Sequence, residues 1–212
     1  MISSVSRRVL LLLLLGTALP LFMAGQQESY VPGKGSYATS IYDTSFQKAL
    51  FQGSFDISKH HISGLFFIKR MPEKTFRIVF TNELGMKFFD LEIGNTVFIV
   101  HFCYPSLNKK ALLKLLGNDF RLLLLPVNTV IRMKRLGSKD PSFERFGVRT
   151  RGGDFYYTYF HETGKICRIQ TSKTLIGKTD LRVEYSGLSL PHHIALSNPT
   201  VRLHIRLTLL NN

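Results

Sequence analysis

Residues 46–104 read F-Q-K-A-L-F-Q-G-S-F-D-I (46–57), H-I-S-G-L-F-F-I-K-R (61–70), K-T-F-R-I-V-F-T-N (74–82), G-M-K-F-F-D-L-E-I (85–93) and T-V-F-I-V-H-F-C-Y (96–104). These five aromatic and β-branched runs are parted by Ser58-Lys59, Met71-Pro72-Glu73, Glu83-Leu84 and Gly94-Asn95. Runs of that length between turn residues specify antiparallel strands joined by short hairpins. Some of them are apolar on both faces: Leu65 and Phe67 alternate with Phe66 and Ile68, and Phe88 adjoins Phe89. An antiparallel sheet with one solvated face alternates apolar and polar residues. A sheet apolar on both faces must cover something on each side, and what lies there is the functional question.

Beyond Tyr104 the period changes. Within 105–126, Pro105 and Ser106 are start signals and Pro126 is a stop. Leu113, Leu116, Phe120 and Leu123 recur at spacings of three and four, as on one helix face. Lys109, Lys110, Lys114 and Arg121 supply a polar side, and Gly117-Asn118 is expected to kink the segment or divide it into two short helices. Strands resume at Phe143 and run to the closing T-V-R-L-H-I-R-L-T-L-L (200–210). There Leu181, Val183 and Tyr185 share a face against Arg182 and Glu184. Likewise Val201, Leu203, Ile205, Leu207 and Leu209 oppose Arg202, His204, Arg206 and Thr208. These later strands have one wet face. The expected fold is α+β: a curved antiparallel sheet, an incomplete β-barrel of about 10–11 strands, wrapped around one or two helices.

The N-terminus divides from this domain by composition. Arg7 and Arg8 precede the apolar run 9–15, Pro20 breaks it, and small Ala24-Gly25 lead into polar sequence. That is the anatomy of a secretory signal peptide; the rival is a short uncleaved anchor. The expected division is 1–25 as signal peptide or anchor, 26–44 as linker, and 45–212 as the folded domain. A bacterial lipoprotein signal ends in a cysteine that carries the lipid. Here Met23-Ala24-Gly25 is followed by Gln26, so no lipidation is expected. Cys103 and Cys167 are the only cysteines, and in an oxidising compartment they allow one disulfide.

The 212-residue chain carries a formal net charge of +14, of which residues 1–25 contribute only Arg7 and Arg8. Such a charge favours anionic partners, a membrane surface among them, or is simply solvated. No catalytic set stands out: there is no G-x-S-x-G, no phosphate loop and no Ser/His/Asp or Cys/His cluster. Neither an enzyme activity nor a cofactor is expected. Asp90 and Glu92 share a strand face and read as a solvated edge beside Lys87, and His161-Glu162 reads as a surface hairpin tip. The pairs His60-His61 and His192-His193 lie in or beside strands, where neighbours point to opposite faces, so metal binding is not expected. Phe155, Tyr157 and Tyr159 with Arg149 and Arg151 sketch a base-stacking face, but an exported chain rarely meets nucleic acid, and none is expected as a partner.

What remains is the apolar surplus. A curled sheet with large apolar residues inside either fills itself or encloses a ligand. The candidate lining is Phe67, Phe76, Ile78, Phe80, Phe89, Leu91, Leu113, Leu116 and Phe120, around a lipid or lipoprotein acyl chain held between sheet and helix. In the opposite reading leucines 112–125 plug the curl, and the protein is a structural or assembly accessory that docks an envelope protein partner.

The run S-G-L-F-F-I-K-R…F-R-I-V-F-T-N-E-L-G-M-K-F-F-D-L-E-I (63–93), with Y-S-G-L-S-L-P-H-H-I-A-L (185–196), resembles a branch of envelope proteins built like the LolA/LolB lipoprotein carriers of the Gram-negative periplasm. The order of signal segment, meander, helical insertion and terminal alternating strand is similar too. The resemblance covers about 45–212 and is one of layout. It implies an incomplete barrel around helices, an apolar cavity for acyl chains, and a place in the periplasm or on the periplasmic face of the outer membrane. It carries over no ligand-binding residue, and Gln26 departs from the lipid-anchored LolB pattern.

Overall fold

The computed structural model describes residues 40–126, 130–172, 177–187 and 190–210. The segment 1–25 and all but the end of 26–44 lie outside them. The strands of the first half are β1 (Lys48–Ile57), β2 (His60–Arg70), β3 (Phe76–Thr81), β4 (Lys87–Ile93) and β5 (Phe98–Cys103). Helix α1 (Lys110–Leu124) follows, and then β6 (Val130–Leu136), β7 (Phe143–Thr150), β8 (Gly153–Phe160) and β9 (Ile166–Thr171). The chain closes with β10 (Asp180–Tyr185), β11 (Pro191–Asn198) and β12 (Leu203–Leu209).

All twelve strands form one antiparallel sheet in the order β5-β4-β3-β2-β1-β12-β11-β10-β9-β8-β7-β6. Two meanders are joined by one long-range pairing, β1 with β12, which sets Phe51 opposite Leu209 and Phe55 opposite Ile205. The outer members of the order, β5 and β6, flank the single described helix in sequence. Helix α1 therefore bridges the two free edges of an open sheet.

Strand β6 is the one beyond the expected ten or eleven. Its residues V-I-R-M-K-R-L bury Met133 alone, and Arg132 and Arg135 are exposed. An edge strand that charged needs little apolar signal, and charge on an edge discourages further pairing.

Inward residues alternate as the pleat requires. In β3, Phe76, Ile78 and Phe80 are buried, while Arg77, Val79 and Thr81 are half-buried. In β10, Leu181 and Val183 are buried against exposed Arg182 and Glu184; in β12, Leu203, Ile205 and Leu207 against exposed His204 and Arg206. The adjoining Phe88 and Phe89 are both buried because the β3–β4 register shifts between Phe80 and Thr81. A bulge of this kind spends one residue off the ladder and turns the next two toward one side.

The end of the 26–44 stretch is not a free tether. Ile41 and Tyr42 are buried, and the Tyr42 ring lies 4.2 Å from Phe46, which stacks on Phe76 at 6.1 Å. Arg70 holds this lead-in by donating to the carbonyls of Phe46 (2.9 Å) and Asp43 (2.7 Å).

Gly117 does not divide the helix, which runs unbroken through it. A Cβ there would stand 3.1 Å from the Phe98 ring, so glycine lets β5 approach the helix backbone. The two thiols are free: Cys103 lies on edge strand β5 and Cys167 on β9, on opposite sides of the β1–β12 seam, so sheet order keeps them from pairing.

Gly64 gives a test of the β2–β3 junction. A Cβ at this position would overlap the Thr81 carbonyl oxygen and stand 2.9 Å from Asn82 Cα, both backbone atoms that cannot rotate away. Gly64→Ala is expected to cost about 1–3 kcal/mol of stability, read as a lower urea midpoint at unchanged m-value. An unchanged midpoint would show that β3 does not cross there as described.

Candidate functional site

The face of α1 that turns to the sheet carries Leu112, Leu115, Leu116, Gly117, Asp119, Phe120, Leu123 and Leu124. On one flank it packs against the aromatic core of the first meander. Phe120 lies 6.1 Å from Phe89, Phe89 lies 5.4 Å from Phe80, and Phe80 stacks on Phe66 at 4.1 Å. All four rings are fully buried.

On the other flank a cavity of about 770 Å³ remains between α1 and the second meander. Its apolar wall is Leu115 and Leu122 of the helix, Leu125 just past its end, and Phe155 of β8. Its rim is the β7–β8 turn at Arg151, Gly152 and Gly153, the β9–β10 connection at Ser172 and Gly177, and Asn95 between β4 and β5. A second hollow of about 530 Å³ lies among Pro141, His161, Lys165 and Tyr185.

Asp119 supplies the polar centre of the larger cavity. Its Oδ1 accepts a hydrogen bond from Thr179 Oγ1 at 2.8 Å, and Asn198 Nδ2 donates to the same Thr179 oxygen at 3.4 Å. Its Oδ2 is buried with no hydrogen-bond partner. Burial pushes this carboxyl up to about 7, against the smaller downward pull of the Thr179 hydroxyl. Three cations line the same space. Arg121 is committed to the β4–β5 turn, donating to Gly94 O at 3.0 Å and Val97 O at 3.2 Å, with its guanidinium 5.8 Å from the Phe98 ring centre. Lys114 and Arg151 are exposed and make no ion pair among the described residues.

The nine residues expected to line an apolar cavity are placed as follows. Phe76, Ile78, Phe80, Phe89, Leu91, Leu116 and Phe120 are buried in the common core. Leu113 is half-buried against it, and Phe67 is half-buried on the side of β2 opposite Phe66 and Ile68. None of the nine lines the 770 Å³ cavity. Leu115, Leu122 and Leu125 stand in a run of leucines that offers no way to tell wall from plug. Asp119 did carry a signal: it falls three or four residues from Leu115, Leu116 and Leu123, so the helical period alone puts an acid on the buried face.

The other candidates are structural. Asp90 is buried, not a solvated edge: Arg77 grips it with two bonds of 2.8 and 3.0 Å and Lys87 adds one of 2.9 Å. Those charge-assisted bonds, Arg77 foremost, hold its carboxyl below the usual range. Glu92 is likewise lowered, by Thr75 and then His101. His161 is exposed and meets the buried Glu144 at 2.9 Å. His61 binds Asp56, and His193 binds Thr208 at 3.0 Å. Among the described residues no group of three or more His, Cys, Asp or Glu is placed to hold a metal. Tyr157 and Tyr159 face the core, and Arg149 is bound by Asp154 at 2.9 and 3.1 Å.

No family model and no curated protein matches this sequence. Similarity appears in structure. A LolA superfamily protein from Nitrosomonas europaea overlays with a TM-score of 0.53 at 6% identity, over 82% of this chain and 88% of that one. A DUF1329 family protein from Desulfovibrio piger overlays at 0.48 with 10% identity, over 79% and 85%. A domain from Vibrio parahaemolyticus assigned to outer membrane lipoprotein sorting overlays at 0.45 with 8% identity, over 80% and 86%. An open antiparallel sheet carrying a helix between its free edges is thus a fold that this chain shares with a LolA superfamily protein.

Proposed function

We propose that the protein is a non-enzymatic carrier or chaperone of the cell envelope, holding a lipid or lipoprotein acyl chain between α1 and the second meander. The observation that carries this reading is the 770 Å³ cavity with a leucine and phenylalanine wall. Its volume falls within the roughly 300–1,000 Å³ common for small-ligand sites. A chain that buries about ten methylenes gains on the order of 8 kcal/mol before association costs, so no charged anchor or cofactor is needed. The likeness in fold to a LolA superfamily protein supports a lipoprotein-sorting type of role. The signal-type segment 1–25, with Gln26 where a lipid-bearing cysteine would stand, supports export to the periplasm without lipidation. In this reading the core set around Phe80, Phe89 and Phe120 is the floor on which the helix rests, and the basic surface favours anionic membrane or cargo.

Protein purified from cell envelopes is expected to yield lipid on organic extraction and to bind a fluorescent fatty acid. Leu122 is half-buried in the cavity wall, so Leu122→Asp places a charge there without opening the core. It is expected to weaken probe binding at least about tenfold, some 1.4 kcal/mol, while Phe67→Ala on the far side of β2 leaves it unchanged. Empty protein that ignores the probe, or a Leu122→Asp variant that binds as well as the parent, counts against the reading.

One observation favours the accessory reading. Edge strand β5 exposes Ile99, Val100 and Phe102, with Tyr104 just beyond, and an apolar edge is a template for strand addition from a partner. Crosslinking at β5 that captures one envelope protein, from a chain that binds no lipid, would support it over the carrier.

A further inference from the structure

The cavity beside α1 has a polar end that an acyl chain alone leaves unsatisfied. Asp119 is 3% exposed and lines the cavity, and its Oδ2 is buried with no donor among the described residues. A buried acceptor without a donor carries a desolvation cost that a bound donor removes. Lys114 and Arg151 line the same cavity with no carboxylate partner among the described residues. Arg121 is already committed to the carbonyls of Gly94 and Val97. The site therefore lacks two things at once: a hydrogen-bond donor for Asp119 and an anion for Lys114 and Arg151.

Building on the carrier reading, we propose that this end selects single-chain amphiphiles whose head sets a hydrogen-bond donor beside an anionic group. The donor, a hydroxyl or an amide N–H, binds Asp119 Oδ2, and the anion lies against Lys114 and Arg151. The acyl chain follows the wall of Leu115, Leu122 and Phe155. A plain fatty acid supplies the anion without a neighbouring donor. A neutral monoglyceride supplies donors without the anion. Neither completes the site.

The test is calorimetric titration of the purified protein at about pH 8, where the Asp119 carboxyl is ionised and both its oxygens accept, with four probes below their micelle-forming concentrations: 1-palmitoyl lysophosphatidate, N-palmitoylglycine, palmitate and monopalmitoylglycerol. The first carries a hydroxyl beside a phosphate and the second an amide N–H beside a carboxylate. At least one of these two is expected to bind about tenfold or more tighter than palmitate and monopalmitoylglycerol. The hydroxyl is the donor if lysophosphatidate alone is favoured, and the amide if N-palmitoylglycine alone is. Asp119→Asn keeps an acceptor for Thr179 but turns an N–H toward the ligand's donor. It is expected to erase the preference, about tenfold, so that the favoured probe binds no more tightly to the variant than palmitate does. Lys114→Ala with Arg151→Ala is expected to weaken every anionic probe and spare monopalmitoylglycerol. Circular dichroism checks that each variant is folded. Equal binding of all four probes by the parent protein overturns the proposal, as does an Asp119→Asn variant that keeps the preference. If palmitate binds and the preference is absent, only this inference fails; if no probe binds, the carrier reading fails with it.

Discussion

Phe80→Ala is expected to destabilise the fold by about 3–5 kcal/mol, the range for removing a fully enclosed phenylalanine. Phe80 is 0% exposed and stands at the centre of the aromatic core. Its ring centre lies 4.1 Å from that of Phe66, 5.2 Å from Phe88, 5.4 Å from Phe89 and 6.1 Å from Phe55. Ring pairs at such distances contribute beyond their buried area. The four neighbours come from β1, β2 and β4 and are themselves packed, so they cannot collapse into the space left behind. Domains of this kind are stable by only about 5–15 kcal/mol, so the loss is a large share of the whole. Phe67→Ala is the paired control. Phe67 is half-buried on the opposite side of β2, and its removal is expected to cost about 1 kcal/mol. The chain has no Trp, so urea unfolding is followed by far-ultraviolet circular dichroism or by tyrosine emission. Equal losses from the two variants would mean that β2 is turned the other way and that the core lies on the Phe67 side.

The contrast between Phe80 and Phe67 also marks where sequence pattern is informative. Alternation in β3, β10 and β12 assigns their inward faces correctly because the other face of each strand carries polar residues: Arg77 and Thr81 in β3, Arg182 and Glu184 in β10, His204 and Arg206 in β12. In β2 both faces are apolar, and period two cannot choose between Phe66 with Ile68 and Leu65 with Phe67. The choice is made by ring packing against β3 and β4, which is a tertiary fact. The same holds for the helix. Its existence follows from leucine spacing between Pro105 and Pro126, but its continuity through Gly117 depends on how closely Phe98 approaches. Strand β6 has Arg132, Lys134 and Arg135 around one buried methionine, and a sheet edge asks for no more apolar content than that. The flank of α1 that keeps a cavity was not legible at all. Side-chain volumes from strands sixty or more residues apart decide it: phenylalanines fill the side toward β4, and the turns near Arg151 and Gly177 leave room on the other.

Asp119 is expected to make the protein lose stability as pH rises from about 4 to about 7. Burial raises its carboxyl from an ordinary 3.8 to about 7 in the folded chain. The folded state therefore holds a proton in that interval that the unfolded state has released. Stability falls with pH wherever the native state binds the more protons. The contribution is fully present below about 4 and gone above about 7. At about 1.36 kcal/mol per unit, the change is about 4 kcal/mol. Asp90, lowered mainly by Arg77, acts with the opposite sign: its contribution is present above the unfolded carboxylate value and is lost on acidification below it. The two effects leave the greatest stability in the mildly acidic range. Asp119→Asn isolates the first of them. Its Oδ1 still accepts from Thr179, and its Nδ2 stays unpartnered at a cost of about 1–3 kcal/mol that does not vary with pH. Every other titrating group is common to both proteins. Urea unfolding at about pH 5 and pH 8 is then expected to show the parent losing about 2.6 kcal/mol more than the variant between the two conditions, because about two of the three units between the unfolded and folded values lie above pH 5. At the higher pH the variant is expected to equal or exceed the parent. If the parent's loss persists undiminished in Asp119→Asn, the carboxyl is not buried against Thr179 as described, and the polar end of the cavity is open to water.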